Sequence, residues 1–282
     1  MDDERFLLLY FLLLELSPRR AKRQQFGDAQ ILQVYLWAAL NNKPVYWACD
    51  ARHKPRVWSG PLPSPSSVCR RMRSASVLAL RDALLLRLQQ RRPAESSHVG
   101  CWIVDAKGFP VNRFSKDKQA KLGHCSVGKA RGYKLFMLTT AAGAPAAWRV
   151  GPMNAGEPTV ARELIEHIDR PGYLLADSIY DSNELHELAA AKQVQLVAPR
   201  KEPNKNIDKR CRGEARMHAI AMLETPVNTF GPALYNGRTQ IERSFSRWSS
   251  SAVGLDHLPG WVRTIPRVTQ WINAKIALAL AA

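Results

Sequence analysis

The sequence is short of acid. Its 24 Asp and Glu face 41 Lys and Arg, leaving a formal net charge of +17. Such an excess favours a polyanionic partner, because neutralising phosphates releases their counterions; a merely soluble basic protein is the other reading. Long apolar runs are lacking too. The greasiest stretch, FLLLYFLLL at residues 6–14, stops at Glu15, short of the ~18 residues a membrane-spanning helix needs, so no membrane partner is expected. The opening MDDER is acidic and does not read as a secretory signal. Cysteines are few and scattered: Cys49, Cys69, Cys101, Cys125 and Cys211, an odd number with no C-x-x-C. That argues against a disulfide frame or a zinc knuckle and for reduced thiols in a cytoplasm. The 7 histidines form no H-E-x-x-H pair, which removes the usual histidine-bound zinc. There is no internal repeat, no low-complexity tract and no coiled-coil seam.

What is present changes texture near residues 91–97, RRPAESS. Before it the chain reads as helices. Ile31, Val34, Tyr35, Ala38 and Ala39 form a helical stripe within residues 29–41. After the breaks at Pro61 and Pro63, Ser64 can cap a helix whose first turn holds Pro65. Arg70, Arg71 and Arg73 cluster on that helix, as in the reading element of a helix-turn-helix; a solvated basic helix is the competing reading. After residue 97 the pattern becomes strand-like. Strands are expected at residues 101–104, 132–140, 146–150, 172–177 and 194–198, with helices before and after the fourth. That order makes an α/β domain with a mixed sheet. Residues 200–234, polar and broken by prolines, read as an insertion or long connection. The expected domains are therefore 1–95, helical, and 98–282, α/β.

Two aspartates are expected to end strands: Asp105 after CWIV and Asp177 after GYLLA. Side chains at strand ends line the crevice where open α/β sheets bind ligands. Adjacent carboxylates repel, and a divalent cation removes that cost; hard oxygen ligands suit Mg²⁺ or Mn²⁺. Asp105 can instead be a strand-end residue bonded to a lysine such as Lys107. Asp181, four residues after Asp177, is expected to cap the helix that follows. A third carboxylate comes from LYNGRTQIERSFSRWSSS. There Tyr235, Arg238, Glu242 and Ser249 share a helical face, beside an apolar stripe of Ile241, Phe245 and Trp248. An ordinary exposed Arg–Glu pair is the alternative for Arg238 and Glu242, and Gly237 weakens a continuous helix there. With a third carboxylate such a site could hold two metals, as phosphodiester cleavage uses them.

These ordered motifs resemble the DDE transposases of bacterial insertion sequences, in the group marked Y-x2-R-x3-E-x6-K. The signature here is Tyr235, Arg238 and Glu242, with Ser249 where lysine is expected. LLADSIYDSNEL is similar to the family's second-Asp block, CWIVDAKGFPV to its first, and RGYKLFML to its second strand; the match covers roughly residues 98–250. The resemblance implies a ribonuclease H-like mixed sheet with flanking helices, preceded by a helical N-terminal DNA-binding region. It implies Asp105, Asp177 and Glu242 as a metal-binding catalytic triad. It also implies Mg²⁺-dependent nicking at element ends, with Mn²⁺ able to substitute, then attack of the freed 3′-OH on target DNA. The implied partner is double-stranded DNA, with a homodimer to bring two ends together, in a bacterial cytoplasm near the nucleoid. Tyr235 and Arg238 would meet phosphates or flipped bases. Arg243 and Arg247 are the nearby cations in place of the missing lysine. The loop at residues 114–131 carries Lys116, Lys118, Lys121, Lys129 and Arg131 and reads either as a phosphate-contacting hairpin or as a solvated basic loop. Lys129, Arg131 and Lys134 join Arg70, Arg71 and Arg73 as expected DNA contacts. Because of Ser249, a catalytically impaired DNA-binding derivative is the alternative function, and a structure-specific nuclease without strand transfer a third.

Overall fold

The computed structural model of this chain describes residues 4–17, 25–91, 99–203, 207, 213–250 and 253–282. The expected boundary at residues 91–97 falls mostly outside these, as does Cys211. The elements run α1 (Glu4–Leu16), α2 (Asp28–Leu40), α3 (Val45–Ala48), α4 (Pro65–Arg71), α5 (Ala75–Gln90), β1 (Gly100–Pro110), β2 (Lys121–Cys125), β3 (Gly128–Thr140), β4 (Pro145–Pro152), α6 (Glu157–Ile165), β5 (Gly172–Leu175), α7 (Asn183–Ala191), β6 (Val194–Val197), α8 (Glu214–Glu224), α9 (Phe230–Asn236), α10 (Thr239–Ser250) and α11 (Ile265–Leu280). No described helix is long and apolar enough to cross a membrane. The chain divides into two compact units, one of residues 1–94, 248–262 and 266–282, the other of residues 95–247 and 263–265.

The first unit is helical. α2 is buried almost all round, through Ile31, Leu32, Val34, Tyr35, Leu36, Ala38 and Ala39, the mark of a central helix. α1 turns Phe6, Leu9, Leu12 and Leu13 inward, and α5 turns Val77, Leu80, Leu84, Leu85 and Leu88 inward. The Phe6 ring lies 4.8 Å from Trp37 and 5.7 Å from Trp58. Ser64 caps α4 as expected: its hydroxyl accepts from the Ser67 amide at 3.3 Å, with Pro65 in the first turn. The C-terminal helix groups with this unit rather than with the sheet. Its apolar face (Val268, Trp271, Ile272, Ile276, Leu278) is buried, Gln270 Nε2 donates to the Met72 carbonyl at 2.8 Å, and Lys275 Nζ donates to the Ala39 carbonyl at 2.6 Å. Hydrophobic periodicity shows that α11 has a buried face but not what covers it.

The second unit is a six-stranded mixed sheet with flanking helices. β1 pairs antiparallel with β3 on one side and parallel with β5 on the other, and β5 continues parallel to β6. The far edge of β3 is shared: β4 pairs with Tyr133–Thr139 and β2 with Gly128–Gly132. α7 connects the parallel strands β5 and β6, the usual solution for a crossover. On one face α6 and α7 cover Trp102, Val104, Phe136, Leu138, Leu174 and Leu196 with Leu164, Ile165, Leu185 and Ala189. Two expectations change here. β2 was hidden in a lysine-rich loop because its residues carry no apolar alternation. Residues 200–234 are not merely a polar connection: α8 buries Ala219, Ile220 and Met222 and packs on β6 and α7, although residues 204–206 and 208–212 lie outside the described ones.

Candidate active site

The site is built where β5 stops. The parallel ladder of β1 and β5 ends at Ile103 opposite Leu175. Asp105 stands two residues further along β1, and Asp177 two residues past the end of β5, close enough for the Asp177 charge to act on Asp105. Asp105 is not at a strand end as expected. β1 runs on to Pro110 because β3 stays paired with it throughout, and the crevice opens because its other partner ends. Asp177 begins a 3₁₀ turn at Ser178–Tyr180, where its carboxylate accepts from the Ile179 amide at 2.9 Å. Asp105 Oδ1 accepts from the Ala106 amide at 2.8 Å.

Burial, aided by the Asp177 charge, pushes the Asp105 carboxyl up to about 6, against the pull of the Ala106 amide and Arg238. Burial and the charge of Glu157 likewise hold Asp177 above the ordinary carboxylate range, against the Ile179 amide and Arg238. Two carboxyls shifted the same way in one crevice are a functional signal as well as an electrostatic cost.

Glu242 lies in the first turn of α10 and is exposed. Gly237 separates α9, which carries Tyr235, from α10. Arg238 sits in that break. Its guanidinium lies 3.7 Å from Asp105 Oδ2 and 2.8 Å from Glu242 Oε1, and 6.0 Å from the Tyr235 ring centre. α10 is seated by Ile241, Ser244 and Phe245, all buried. Ser244 Oγ donates to the Gly143 carbonyl at 3.3 Å. Gly143 has φ +79, and a Cβ there would stand 2.2 Å from Ser244 Oγ, so only glycine allows this approach.

Asp181 does not cap α7. Ser182 does, its hydroxyl accepting from the Leu185 amide at 3.3 Å. Asp181 is buried, accepting from Arg216 at 2.8 and 2.6 Å and from the Lys201 amide at 3.1 Å, with the His186 ring at 3.3 Å. Burial works against its charge, but these partners prevail and hold its carboxyl down at about 2.

One residue beside the pair escaped sequence reasoning. Glu157, in the first turn of α6, accepts from Lys134 Nζ at 2.8 Å and from the Tyr180 hydroxyl at 3.0 Å. The available signal was an acid opening a helix directly after a strand. Lys134 is consequently buried in an ion pair, not presented on a surface, because strand alternation turns it inward. The other expected contacts divide. Arg70, Arg73, Lys129, Arg243 and Arg247 are exposed. Arg131 is half-buried and donates to the Ala120 carbonyl at 3.1 Å. Arg71 turns inward, bonded to the Phe26 carbonyl and the Asp28 carboxylate. Ser249 is half-buried and donates to the Leu255 carbonyl at 3.3 Å.

The family model described as the transposase DDE domain matches residues 100–280. The chain belongs to this transposase family. No curated protein matches it. Among solved structures, a similar chain is the piggyBac transposase of a synaptic complex with hairpin DNA. It is 11% identical with a TM-score of 0.49, over 98% of this chain and 73% of that one.

Transposases of this family typically use divalent metal ions. The residues present suit one: Asp105 and Asp177 are adjacent hard-oxygen donors, each pushed toward the neutral form, and a shared cation would relieve both. Among the described residues no three His, Cys, Asp or Glu side chains stand together as a complete metal cage; the oxygen of Glu242 is engaged by Arg238.

Proposed function

We propose that the chain is a DNA transposase of the Y-x2-R-x3-E group, cleaving phosphodiester bonds at element ends and joining the freed 3′ hydroxyl to target DNA. The observation that carries this reading is the adjacency of Asp105 and Asp177 where β5 ends. Asp105, Asp177 and Glu242 would hold Mg²⁺ or Mn²⁺. When bound, the metal supplies a Lewis acid that activates water or the 3′ hydroxyl and stabilises the leaving oxygen.

The protein's own groups set up that chemistry. Asp105 on β1 and Asp177 at the 3₁₀ turn just past β5 each have one oxygen fixed by a backbone amide, which leaves the other free to act as a donor. Arg238 places a positive charge between Asp105 and Glu242 and, with Tyr235, suits contact with a DNA phosphate. A DNA phosphate at this guanidinium would compete with Glu242 for it, and the carboxylate so freed would be the third group, with Asp105 and Asp177, that could hold the ion. A ribonuclease H-like reading of the sheet unit is supported by its strand order, with three strands antiparallel to β3 and two parallel to β1 and to each other. DNA-end recognition by residues 1–95, through Arg70 and Arg73, belongs to the same proposal, as does a dimer that holds two ends.

The test is cleavage of DNA bearing the element ends, with Mg²⁺ or Mn²⁺. Asp105→Ala, Asp177→Ala and Glu242→Ala should each abolish cutting while leaving DNA binding; full cutting by any of them ends the assignment. A second reading, a DNA-binding derivative that no longer cuts, is favoured by Ser249, whose hydroxyl is committed to the Leu255 carbonyl in place of a DNA-directed lysine. It predicts binding without any nick by the wild-type protein.

A further inference from the structure

The helical unit holds an open pocket of about 270 Å³ that lies wholly within that unit and owes nothing to the carboxylates of the sheet. Its lining combines exposed aromatic rings with positive charge. Tyr46 and Trp261 are aromatic and strongly exposed, at 68% and 46%. Lys43, Arg73 and Arg267 supply three exposed positive charges, and among the described residues no Asp or Glu lines the pocket. Single exposed aromatics are common, but two in one pocket make a contiguous apolar patch of the kind that marks a binding surface. Stacking platforms beside cations are how proteins hold unpaired nucleotides, with the base on the ring and the phosphate on the charge. The volume exceeds the ~150 Å³ that accommodates benzene, leaving room for one base. A third aromatic, Trp271, is buried at 3% and lines the same pocket. Its indole N–H finds no acceptor among the described residues, and an exocyclic oxygen or ring nitrogen of a base would provide one. A cationic ligand is repelled by the three charges. A purely apolar one would strip water from them without return.

We infer that this pocket binds a single nucleotide, its base against Tyr46 and Trp261 and its phosphate among Lys43, Arg73 and Arg267. The shared chemistry, a planar base bearing a phosphate, can come from a free mononucleotide or from one unpaired residue of a DNA strand.

The test titrates the full-length protein with deoxyadenosine monophosphate and, separately, with a single-stranded oligodeoxynucleotide carrying one 2-aminopurine, read by fluorescence. Saturable binding in either arm is expected. Binding of the oligonucleotide alone assigns the pocket to a strand; equal binding of the mononucleotide assigns it to a free nucleotide. Trp261→Ala should weaken binding about 5- to 150-fold, the range for loss of one stacked base. Trp261→Phe should recover most of it. Arg267→Ala should weaken it and reduce its salt dependence, with Arg267→Lys retaining both. Unchanged thermal melts of the variants show that the fold survives. No binding in either arm, binding indifferent to both alanine variants, or inorganic phosphate competing as well as the mononucleotide would each overturn the inference. Asp177→Asn is the control for independence: it should abolish cleavage and leave these titrations unmoved, so that failure of the pocket and failure of the catalytic reading are told apart.

Discussion

Arg238 stands between Asp105 and Glu242, 3.7 Å from one carboxylate and 2.8 Å from the other. An ion pair between exposed helix neighbours is ordinarily worth a few tenths of a kcal/mol, so its interest here is positional: one guanidinium joins two of the three proposed ligands across a break between helices. If Arg238 and Glu242 work as a unit, their effects on cleavage will not multiply. Arg238→Ala should reduce the cleavage rate about 10- to 100-fold, the usual loss for a group supporting a metal ligand. Glu242→Gln should cost more. The double variant should be no worse than Glu242→Gln alone. Rates that simply multiply would show that the two act separately.

The two aspartates of DSIYD should separate stability from chemistry. Asp181 is buried with Arg216, and Asp181→Asn removes the carboxylate charge from that buried pair. Breaking one side of such a pair costs about 3–5 kcal/mol, visible as a lower melting temperature. Asp177→Asn keeps an oxygen for the Ile179 amide and should melt near the wild type while losing cleavage. The reverse pattern in melts and cleavage assays would mean the roles are exchanged.

Lys134 and Glu157 make the same kind of argument by double substitution. Lys134→Met or Glu157→Gln alone breaks the pair on one side and should destabilise by up to about 3–5 kcal/mol, whereas Lys134→Met with Glu157→Gln, which keeps an acceptor for the Tyr180 hydroxyl, should recover most of the loss. Urea denaturation of the three variants checks this. Equal destabilisation by the single and double changes would show that the pair is not the unit.

Lys275 gives a pH dependence of known sign. It is fully buried, donating at 2.6 Å to both the Ala39 carbonyl and Asn42 Oδ1. Burial, and after it the charge of Arg5, pushes its ammonium down to about 7. The unfolded chain holds this proton up to about 10.4. Between those values the unfolded state binds the extra proton, so stability rises with pH by at most about 1.4 kcal/mol per unit. Below about 7 both states carry it and this contribution stays flat. The difference in stability between wild type and Lys275→Met should therefore change across that window, in denaturation followed from about pH 7 to about pH 10. A constant difference would refute the assignment.

Much of the site was legible because it follows local rules. An apolar run closing on an acid marked Asp105 in β1 and Asp177 just past β5, and the x3 spacing of Arg238 and Glu242 anticipated that the two would meet. Gly237 correctly signalled a break before α10. What was not legible depended on partners far along the chain. Asp181 looks like a cap because it precedes a helix, yet Arg216 decides its role. Lys134 looks like a surface cation until Glu157 meets it. The basic cluster on α4 reads as one patch, but Asp28 draws Arg71 inward while Arg70 and Arg73 stay exposed. The covering of α11 is likewise a long-range fact that its own periodicity cannot express.

Manganese binding tests the central claim most directly, since Mn²⁺ can be counted by its electron paramagnetic resonance without any cleavage. The wild-type protein with end-bearing DNA should bind Mn²⁺ saturably, and Asp105→Asn and Asp177→Asn should each lose that binding while still holding the DNA. Undiminished Mn²⁺ binding by the doubly substituted protein, or DNA cutting by a wild type that binds none, would contradict a metal site at these two carboxylates.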